Sequence, residues 1–445
     1  MFILRSILTP LQAKFSHSKL GQERANWFTQ ALLAAIAPFS SSMTANLLRT
    51  VQTLFGLNVT QRRFYTFMAS PKLPWQQLWL SLWGMIPDPQ TDGRLIIALD
   101  DFVNPKTGKK IFGCGNVFDH SSKTNQSKFQ WAQNVVTIGL LKQIKGRWAC
   151  LPLAARFYLQ QKMVESQAAN VDQGAKVTLF QTKFAQAIEM LEEVAKFFSD
   201  TTILVVADSW FGNNSMLKPA RKSIGTRFHL LSRLRANIIL YDNPPPRIPG
   251  RRGRNTKYGK RLGSVSQLAS QYRDEVSTYT VDTYGKRRTV NAFSQNMMMK
   301  TLKCPVRIVW VFYRSQWVAL FTTDMTVSIE QIIEFYAARW KIEAAFKELK
   351  QDIGSQRSQT RNEVAVKNHL QFCMMAMTIT WIYASKLNSN LPRRHRVNGR
   401  ASFAFSDIRR TIAKVVLSDG FSKSLLKSFK PTQNTLASVL LRMVA

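Results

Sequence analysis

Two short apolar runs that end in carboxylates constrain this chain more than any other feature. Residues 94–101 read RLIIALDD, and residues 201–208 read TTILVVAD. Runs this short and this apolar predict strands that are buried inside a sheet. A buried carboxylate without a partner is costly, so each strand-end acid is expected to meet a cation.

The order of the predicted elements indicates an α/β fold with an RNase H-like core. Two further strand-like runs, WAQNVVTIGLL and RWACLPLAARFYL, follow the first acid, and an amphipathic helix over residues 175–198 precedes the second acidic strand. Strand-like pieces then fill residues 233–325, and helices are predicted over 328–352 and 363–387. We therefore expect a catalytic core that is interrupted by a β-rich insertion, with helical N- and C-terminal regions.

These patterns divide the chain into five segments. The predicted segments are 1–90, a helical DNA-binding domain; 91–232, the first part of the core; 233–325, the β-rich insertion; 326–390, the second part of the core with the catalytic helix; and 391–445, a basic helical tail. Within the first segment, Gly56 interrupts two helical patterns and Thr60 can cap the second, which suits a helix-turn-helix as well as two ordinary packed helices.

The charge of the chain predicts a polyanionic partner. Lys and Arg number 62 against 26 Asp and Glu, a net charge of +36. Neutralising phosphates releases counterions, so nucleic acid is favoured over a ribosomal or membrane surface. The four cysteines form no CxxC pair, and neither a signal peptide nor a membrane span is predicted. Residues 370–384 are interpreted as a buried helix.

A basic loop over residues 243–262 is a candidate phosphate-binding segment. This segment contains seven Lys and Arg residues and no Asp or Glu. Its prolines and glycines disfavour regular structure, so it is either a solvated loop or a DNA contact. The residues selected as DNA-binding candidates are Arg251, Arg252, Arg254 and Lys257.

Three acids are candidate catalytic residues and metal ligands: Asp100, Asp208 and Glu343. Phosphodiester cleavage is served by a pair of Mg²⁺ ions, which take carboxylate oxygens as ligands. At about 100° per residue, Tyr336, Arg339 and Lys350 share a helix face with Glu343, whereas Glu348 lies about 140° away. Strand-end turns and ordinary helical ion pairs, such as Glu343 with Lys347, are the alternative explanation.

The pattern Tyr-x2-Arg-x3-Glu-x6-Lys at these residues resembles the Tyr-Arg-Glu-Lys (YREK) signature of cut-and-paste DDE transposases from bacterial insertion sequences. ADSWF is similar to their second acidic motif, and ALDDF to their first. Phe102 stands where relatives often have Thr or Ser. Asp101 is therefore an alternative first acid, although the motif alignment favours Asp100, and Asp119 is a weaker candidate.

The resemblance implies a specific activity. It implies binding of terminal inverted repeats and target DNA as a homodimer or larger synapse, and hydrolysis at the element end. The freed 3′-hydroxyl would then attack the opposite strand or target DNA. It also implies two Mg²⁺ ions, replaceable by Mn²⁺, on the three acids, with Tyr336, Arg339 and Lys350 at the phosphates. Relatives often stack a flipped base on an aromatic ring, for which Trp317 and Trp210 are candidates against an ordinary core role.

Two other functions compete with this reading. One is an RNase H-like nuclease that cuts without integrating, and the other is a domesticated, non-catalytic DNA-binding derivative. The intact acids and their basic neighbours argue against the second. A bacterial, nucleoid-associated cytoplasmic location follows from the resemblance.

Overall fold

The computed structural model describes residues 2–37, 41–118, 125, 127–169, 179–246, 255–395 and 403–417. The helices are α1 (Phe2–Gln12), α2 (Lys19–Ile36), α3 (Thr44–Phe55), α4 (Gln61–Met68), α5 (Trp75–Trp83), α6 (Gln161–Ala169), α7 (Lys183–Phe197), α8 (Asn214–Ile224), α9 (Val265–Gln271), α10 (Ile329–Lys347), α11 (Glu363–Ser385) and α12 (Phe405–Val416). The strands are β1 (Arg94–Pro105), β2 (Cys114–Phe118), β3 (Phe129–Ile144), β4 (Arg147–Tyr158), β5 (Thr202–Ala207), β6 (Phe228–Arg233), β7 (Ile239–Tyr241), β8 (Arg261–Ser264), β9 (Ser277–Thr283), β10 (Lys286–Met299), β11 (Cys304–Tyr313) and β12 (Gln316–Thr322).

Five strands form the RNase H-like core, in the order β4-β3-β1-β5-β6. The first three strands pair antiparallel, while β5 and β6 continue the sheet parallel to β1. Residues 95–99 and 203–207 are fully buried, because helices cover both faces of the sheet. This double burial explains why both runs are continuously apolar, and the predicted α/β fold class is confirmed.

The two faces of the core sheet carry different helices. α7 and α8 pack against each other on one face, and α10 and α11 pack on β4 on the other. Successive side chains of a strand point to opposite faces. Accordingly, the carboxylate of Asp101 lies 2.9 Å from Lys183 of α7, whereas that of Asp100 lies 3.3 Å from Arg339 of α10.

The inserted strands extend the core sheet. β12 pairs antiparallel with β6, and β11 and β10 follow outward from it. β9 and β7 both pair with β10, and β8 pairs with β7. The β-rich pieces expected at residues 233–325 are thus strands of one continuous sheet. The five domain boundaries themselves remain a prediction.

The N-terminal helices share one hydrophobic core with the sheet and α11. α2 packs along α11, where Phe28 and Phe372 lie 5.3 Å apart between ring centroids. The indole of Trp75 donates to Asn368 (2.7 Å), and that of Trp79 donates to Gln371 (2.6 Å). Thr60 caps α4 as expected, with its side chain accepting from the backbone of Arg63.

The structure corrects several predicted elements. β2, β6 and α8 were not predicted, because each is short and its burial depends on distant partners. The helix expected over 328–352 changes at residue 348 into a π-helical turn, Glu348–Ile353. The irregular loop expected up to residue 262 ends earlier, because residues 261–264 pair with β7 as β8.

α11 is buried over nearly its whole surface, in agreement with the interpretation of residues 370–384 as a core helix. Among the described residues, no helix is both long and apolar enough to cross a membrane.

The buried imidazole of His369 in α11 is expected to make the stability of the fold sensitive to acid. It is buried, its Nε2–H donates to the carbonyl of Ser42 (2.6 Å), and burial lowers its pKa to about 4. Above pH about 6.5 the imidazole is neutral in both states. Below that pH only the unfolded state takes up the proton, so stability falls until about pH 4, by about 3 kcal/mol in total.

The comparison is with His369→Asn, which keeps a donor for Ser42 but does not titrate. Chemical denaturation between pH 7 and pH 4 should show a steeper loss of stability for the wild type. If the stability of the two proteins fell equally with pH, His369 would not contribute to the acid sensitivity.

Candidate active site

β1 presents Asp100 to the face of the sheet that α10 covers. Its Oδ1 accepts from the backbone N–H of Asp101 (2.8 Å), and its Oδ2 accepts from Nη1 of Arg339 (3.3 Å). Asp101 points the other way, where it accepts from Asn134 (2.7 Å) and Lys183 (2.9 Å). Asp100, and not Asp101, therefore shares a face with α10. Asp119 lies outside the described residues.

Asp208 follows the last residue of β5, beside the strand that carries Asp100. Its Oδ1 accepts from the backbone N–H groups of Trp210 (3.0 Å) and Phe211 (3.2 Å), which fixes the turn after the strand. Ser232 of β6 donates to the Asp208 carbonyl (2.7 Å). A Cβ on Gly212 would lie 2.3 Å from Oγ of Ser232, so this packing requires glycine. The turn holds the Asp208 side chain at the carboxyl edge of the sheet.

α10 adds Glu343, Arg339 and Tyr336 to the same place. The helix begins at a capping box between Ser328 and Gln331. Nη2 of Arg339 donates to Oε1 of Glu343 (3.0 Å), while Nη1 reaches Asp100. The guanidinium carbon lies 5.7 Å from the ring centroid of Tyr336. Arg339 thus joins the acid of β1 to the acid of α10.

Burial is the main electrostatic influence on Asp100. Burial, with smaller contributions from the charges of Asp208 and Asp101, raises the pKa of Asp100 to about 7, although Arg339 and the backbone N–H of Asp101 oppose the shift. Burial also raises the pKa of Tyr336, and the charge of Asp208 adds to this increase. The phenol is therefore protonated at neutral pH. Asp100 and Asp208 are close enough for the charge of Asp208 to act on Asp100, and Arg339 does not fully offset the effect of burial on Asp100.

Lys350, the last residue of the signature, lies in the π-helical turn that follows α10. Its Nζ is 3.5 Å from the carbonyl of Val103 and 5.8 Å from the ring centroid of Phe102, both on β1. π-turns are rare and occur often at functional sites. This turn places the lysine against the strand that carries Asp100.

Two family models match the chain. A family model described as DDE superfamily endonuclease matches residues 11–292, more than half of the chain. The chain belongs to the DDE superfamily of endonucleases. A second model, described as archaeal putative transposase ISC1217, matches residues 274–391. No curated protein matches the chain. Asp100 and Asp208 fall in the first match, and Glu343 falls in the second.

Enzymes of the DDE superfamily generally use divalent metal ions, and the donor set here fits such ions in its chemistry. Asp100, Asp208 and Glu343 are hard oxygen ligands, and the raised pKa of Asp100 marks a place where added positive charge is favourable. Oδ2 of Asp208 and Oε2 of Glu343 accept no hydrogen bond from the described residues. Within the described chain, no three acidic, His or Cys side chains stand close enough together to hold one ion. Arg339 separates Asp100 from Glu343, so its side chain has to turn away before the three acids can coordinate the same metal ions.

The two tryptophans expected to stack on bases have different environments. Trp210, beside Asp208, is 42% exposed and stacks on Phe184 with ring centroids 4.7 Å apart. Trp317 is half-buried on β12, opposite Phe312 of β11, and packs on the core. Trp210 is therefore the more accessible of the two to a nucleic acid.

The basic loop is only partly described. Arg251, Arg252 and Arg254 lie outside the described residues, and Lys257 is exposed. Glu348, which was excluded as a ligand, points away from the site towards Arg147 (3.8 Å), and burial raises its pKa to about 8.

Sequence reasoning missed the residues that hold Asp101. Lys183 lies within 5.5 Å of the Trp210 ring centroid and 5.3 Å of that of Tyr158, in addition to its ion pair with Asp101. The only available signal was the position of Lys183 directly after Thr182, which caps α7. That signal does not identify the partner.

Proposed function

We propose that this chain is the transposase of a bacterial insertion sequence, in the cut-and-paste group with the YREK signature. It binds the terminal inverted repeats of the element, cuts the DNA at the element ends and joins the cut strand to target DNA. One observation carries the proposal. Asp100 from β1 and Glu343 from α10 meet at a single guanidinium, and Asp208 from β5 is electrostatically coupled to Asp100.

The three acids are the proposed ligands of two Mg²⁺ ions, which Mn²⁺ can replace. Such ions, when bound, activate the attacking oxygen, stabilise the leaving oxygen and neutralise phosphate charge. Asp100 and Asp208 extend from neighbouring parallel strands, so hydrogen bonds of the sheet fix their separation. Glu343 depends on the position of α10, which makes it the adjustable member of the three.

Arg339, Tyr336 and Lys350 are the proposed phosphate-binding residues. Arg339 neutralises Asp100 and Glu343 in the free protein. Once these carboxylates are otherwise neutralised, the guanidinium is free to bind a phosphate oxygen with two parallel hydrogen bonds. Tyr336 is protonated and can donate. This exchange of partners links assembly of the site to DNA binding.

The proposed partners are double-stranded DNA, as terminal repeat and as target, and a second copy of the chain in the synaptic complex. The net charge of +36 supports the first, as does the exposure of Arg62 and Arg63 on α4. The proposed place of action is the bacterial nucleoid, where such DNA is found.

The basic loop yields a direct prediction about DNA binding. Replacing Arg251, Arg252 and Arg254 with Gln is expected to weaken binding and to flatten its salt dependence, since each lost phosphate contact lowers the log–log slope by about 0.9. The control is Lys196→Gln with Lys222→Gln, two exposed lysines near the C-terminal ends of α7 and α8. Equal changes in slope per charge removed would mean that the loop acts only through net charge.

A strand-transfer assay tests the proposed function. Purified protein, Mg²⁺, a labelled DNA end from the flanking terminal repeat and a supercoiled plasmid should give labelled DNA joined to the plasmid. Cutting without joining would identify a nuclease, and binding without cutting would identify a non-catalytic derivative.

A further inference from the structure

Two hairpin tips at the same end of the inserted strands expose aromatic and basic side chains. The first tip joins β9 to β10 through residues 284–285, and the second joins β11 to β12 through residues 314–315. We propose that these tips, residues 284–288 and 313–314, form a DNA-binding surface, with arginines on phosphates and tyrosines against sugars or bases. The proposal rests on the proposed function for the identity of the ligand.

Both tips hold a tyrosine that is largely in solvent. Tyr284 is 62% exposed and Tyr313 is 68% exposed. Each ring has an arginine beside it, Arg288 at 5.9 Å and Arg314 at 5.4 Å from the ring centroids. Aromatic rings next to cations are the combination on which nucleic-acid bases and phosphates bind together.

The charge of the tips favours a polyanion. Lys286, Arg287 and Arg288 are consecutive and exposed at the start of β10, and Arg314 ends the second hairpin. Asp282 lies directly opposite Arg287 in the strand register, and Glu334 of α10 accepts from the backbone N–H of Asp282. Four cations against these two acids leave a net positive surface.

The backbone at both tips lies in the left-handed region. Tyr284 and Gly285 have φ values of +54° and +75°, so the first tip has the backbone of a hairpin turn that favours Asn-Gly. Arg314 has φ +52°. A bulky side chain in this left-handed region is uncommon and strained, and Lys145 in the β3–β4 turn has the same conformation.

The first tip lies within reach of DNA in the candidate active site. The backbone N–H of Asp282 donates to Glu334 of α10 (2.7 Å), nine residues before Glu343 on the same helix. Nine helical residues span about 13 Å, and two strand residues lead from Asp282 to the tip, about 7 Å more. The first tip is therefore less than one turn of duplex, about 34 Å, from Glu343 along this path.

The test uses substitutions that relieve strain while removing the contact. Tyr284→Asn combined with Arg314→Asn places in each turn a residue that tolerates positive φ. The matched control is Lys145→Asn, because Lys145-Gly146 has the same pair of positive φ values in the β3–β4 hairpin. Lys145 lies beyond the start of β1, at the edge of the sheet opposite Asp100. It is also a cation, so charge loss is matched in kind.

Binding is measured by fluorescence anisotropy on a labelled mixed-sequence duplex and on oligothymidine, without metal, over a range of salt. We expect the double variant to bind at least one of these DNAs about tenfold more weakly. Its salt slope should be flatter by about 1, and its thermal midpoint equal to or above that of the wild type. Lys145→Asn should keep wild-type DNA affinity, and its thermal midpoint should be similar to that of the double variant. The pattern across duplex and single strand shows which form the tyrosines contact.

Wild-type affinity of the double variant for both DNAs would overturn the proposal, as would an equal loss in Lys145→Asn. Cleavage is assayed in parallel with Glu343→Gln. If that variant is inactive while the double variant binds normally, the hairpin surface is wrong and the proposed function stands. If the wild type itself cuts no DNA, the proposed function fails, and the affinity comparison still decides the hairpin surface.

Discussion

Glu343→Gln is expected to abolish cleavage of a DNA end while leaving DNA affinity almost unchanged. The amide keeps the size of the side chain and can still contact Arg339, but it removes the negative charge that α10 contributes to the site. Losing one charge-stabilising group from an active site typically lowers the rate about 10²–10³-fold, and a metal ligand belongs at the upper end of that range. The measurement is single-turnover cleavage beside equilibrium binding of the same labelled DNA.

The control is Glu330→Gln, in the first turn of the same helix and away from the cluster. It is expected to cleave at close to the wild-type rate and to lose only the small interaction of Glu330 with the helix N-terminus. Wild-type cleavage by Glu343→Gln, or loss of DNA binding instead of cleavage, would contradict the role given to Glu343.

Arg339→Gln is expected to have two separate effects. Cleavage should fall about 10²–10³-fold, because Arg339 is the proposed phosphate ligand nearest to Glu343. The free energy of unfolding should fall by about 1–3 kcal/mol, because Asp100 loses the guanidinium that offsets the cost of burying its carboxylate. The loss stays in this range because Asp100 can take up a proton.

The response of Arg339→Gln to Mg²⁺ distinguishes its two roles. In the wild type an ion has to compete with the guanidinium between Asp100 and Glu343, and in the variant it does not. Mg²⁺ without DNA should therefore raise the thermal midpoint of the variant more than that of the wild type. The same small response in both proteins would indicate that Arg339 does not occupy an ion site.

Much of this site could be predicted from local sequence. The apolar runs that end at Asp100 and Asp208 identified β1 and β5, because burial on both faces leaves a continuous apolar pattern. Helical spacing identified the shared face of Tyr336, Arg339 and Glu343, since it depends only on the geometry of one helix.

The remainder depended on contacts between distant segments. β6 has only six residues, FHLLSR, and is a strand because it pairs with β5 and β12. The sequence alone does not distinguish the neighbouring residues Asp100 and Asp101. They differ because α10 packs on the face of the sheet that carries Asp100, whereas Lys183 lies on the face that carries Asp101. The bridging position of Arg339 depends on the same packing, so the sequence predicted a phosphate ligand and missed its ion pair with Asp100.

The proposed activity requires Asp100, Asp208 and Glu343 to coordinate divalent ions together. Anomalous diffraction from crystals of the full chain with Mn²⁺ and a DNA end measures this directly. We predict two peaks among the three carboxylates, with Arg339 turned away from Asp100 and each ion at coordination distance, about 2 Å, from carboxylate oxygen. Mn²⁺ bound elsewhere beside the cut phosphate, with Arg339 still between Asp100 and Glu343, would contradict the claim.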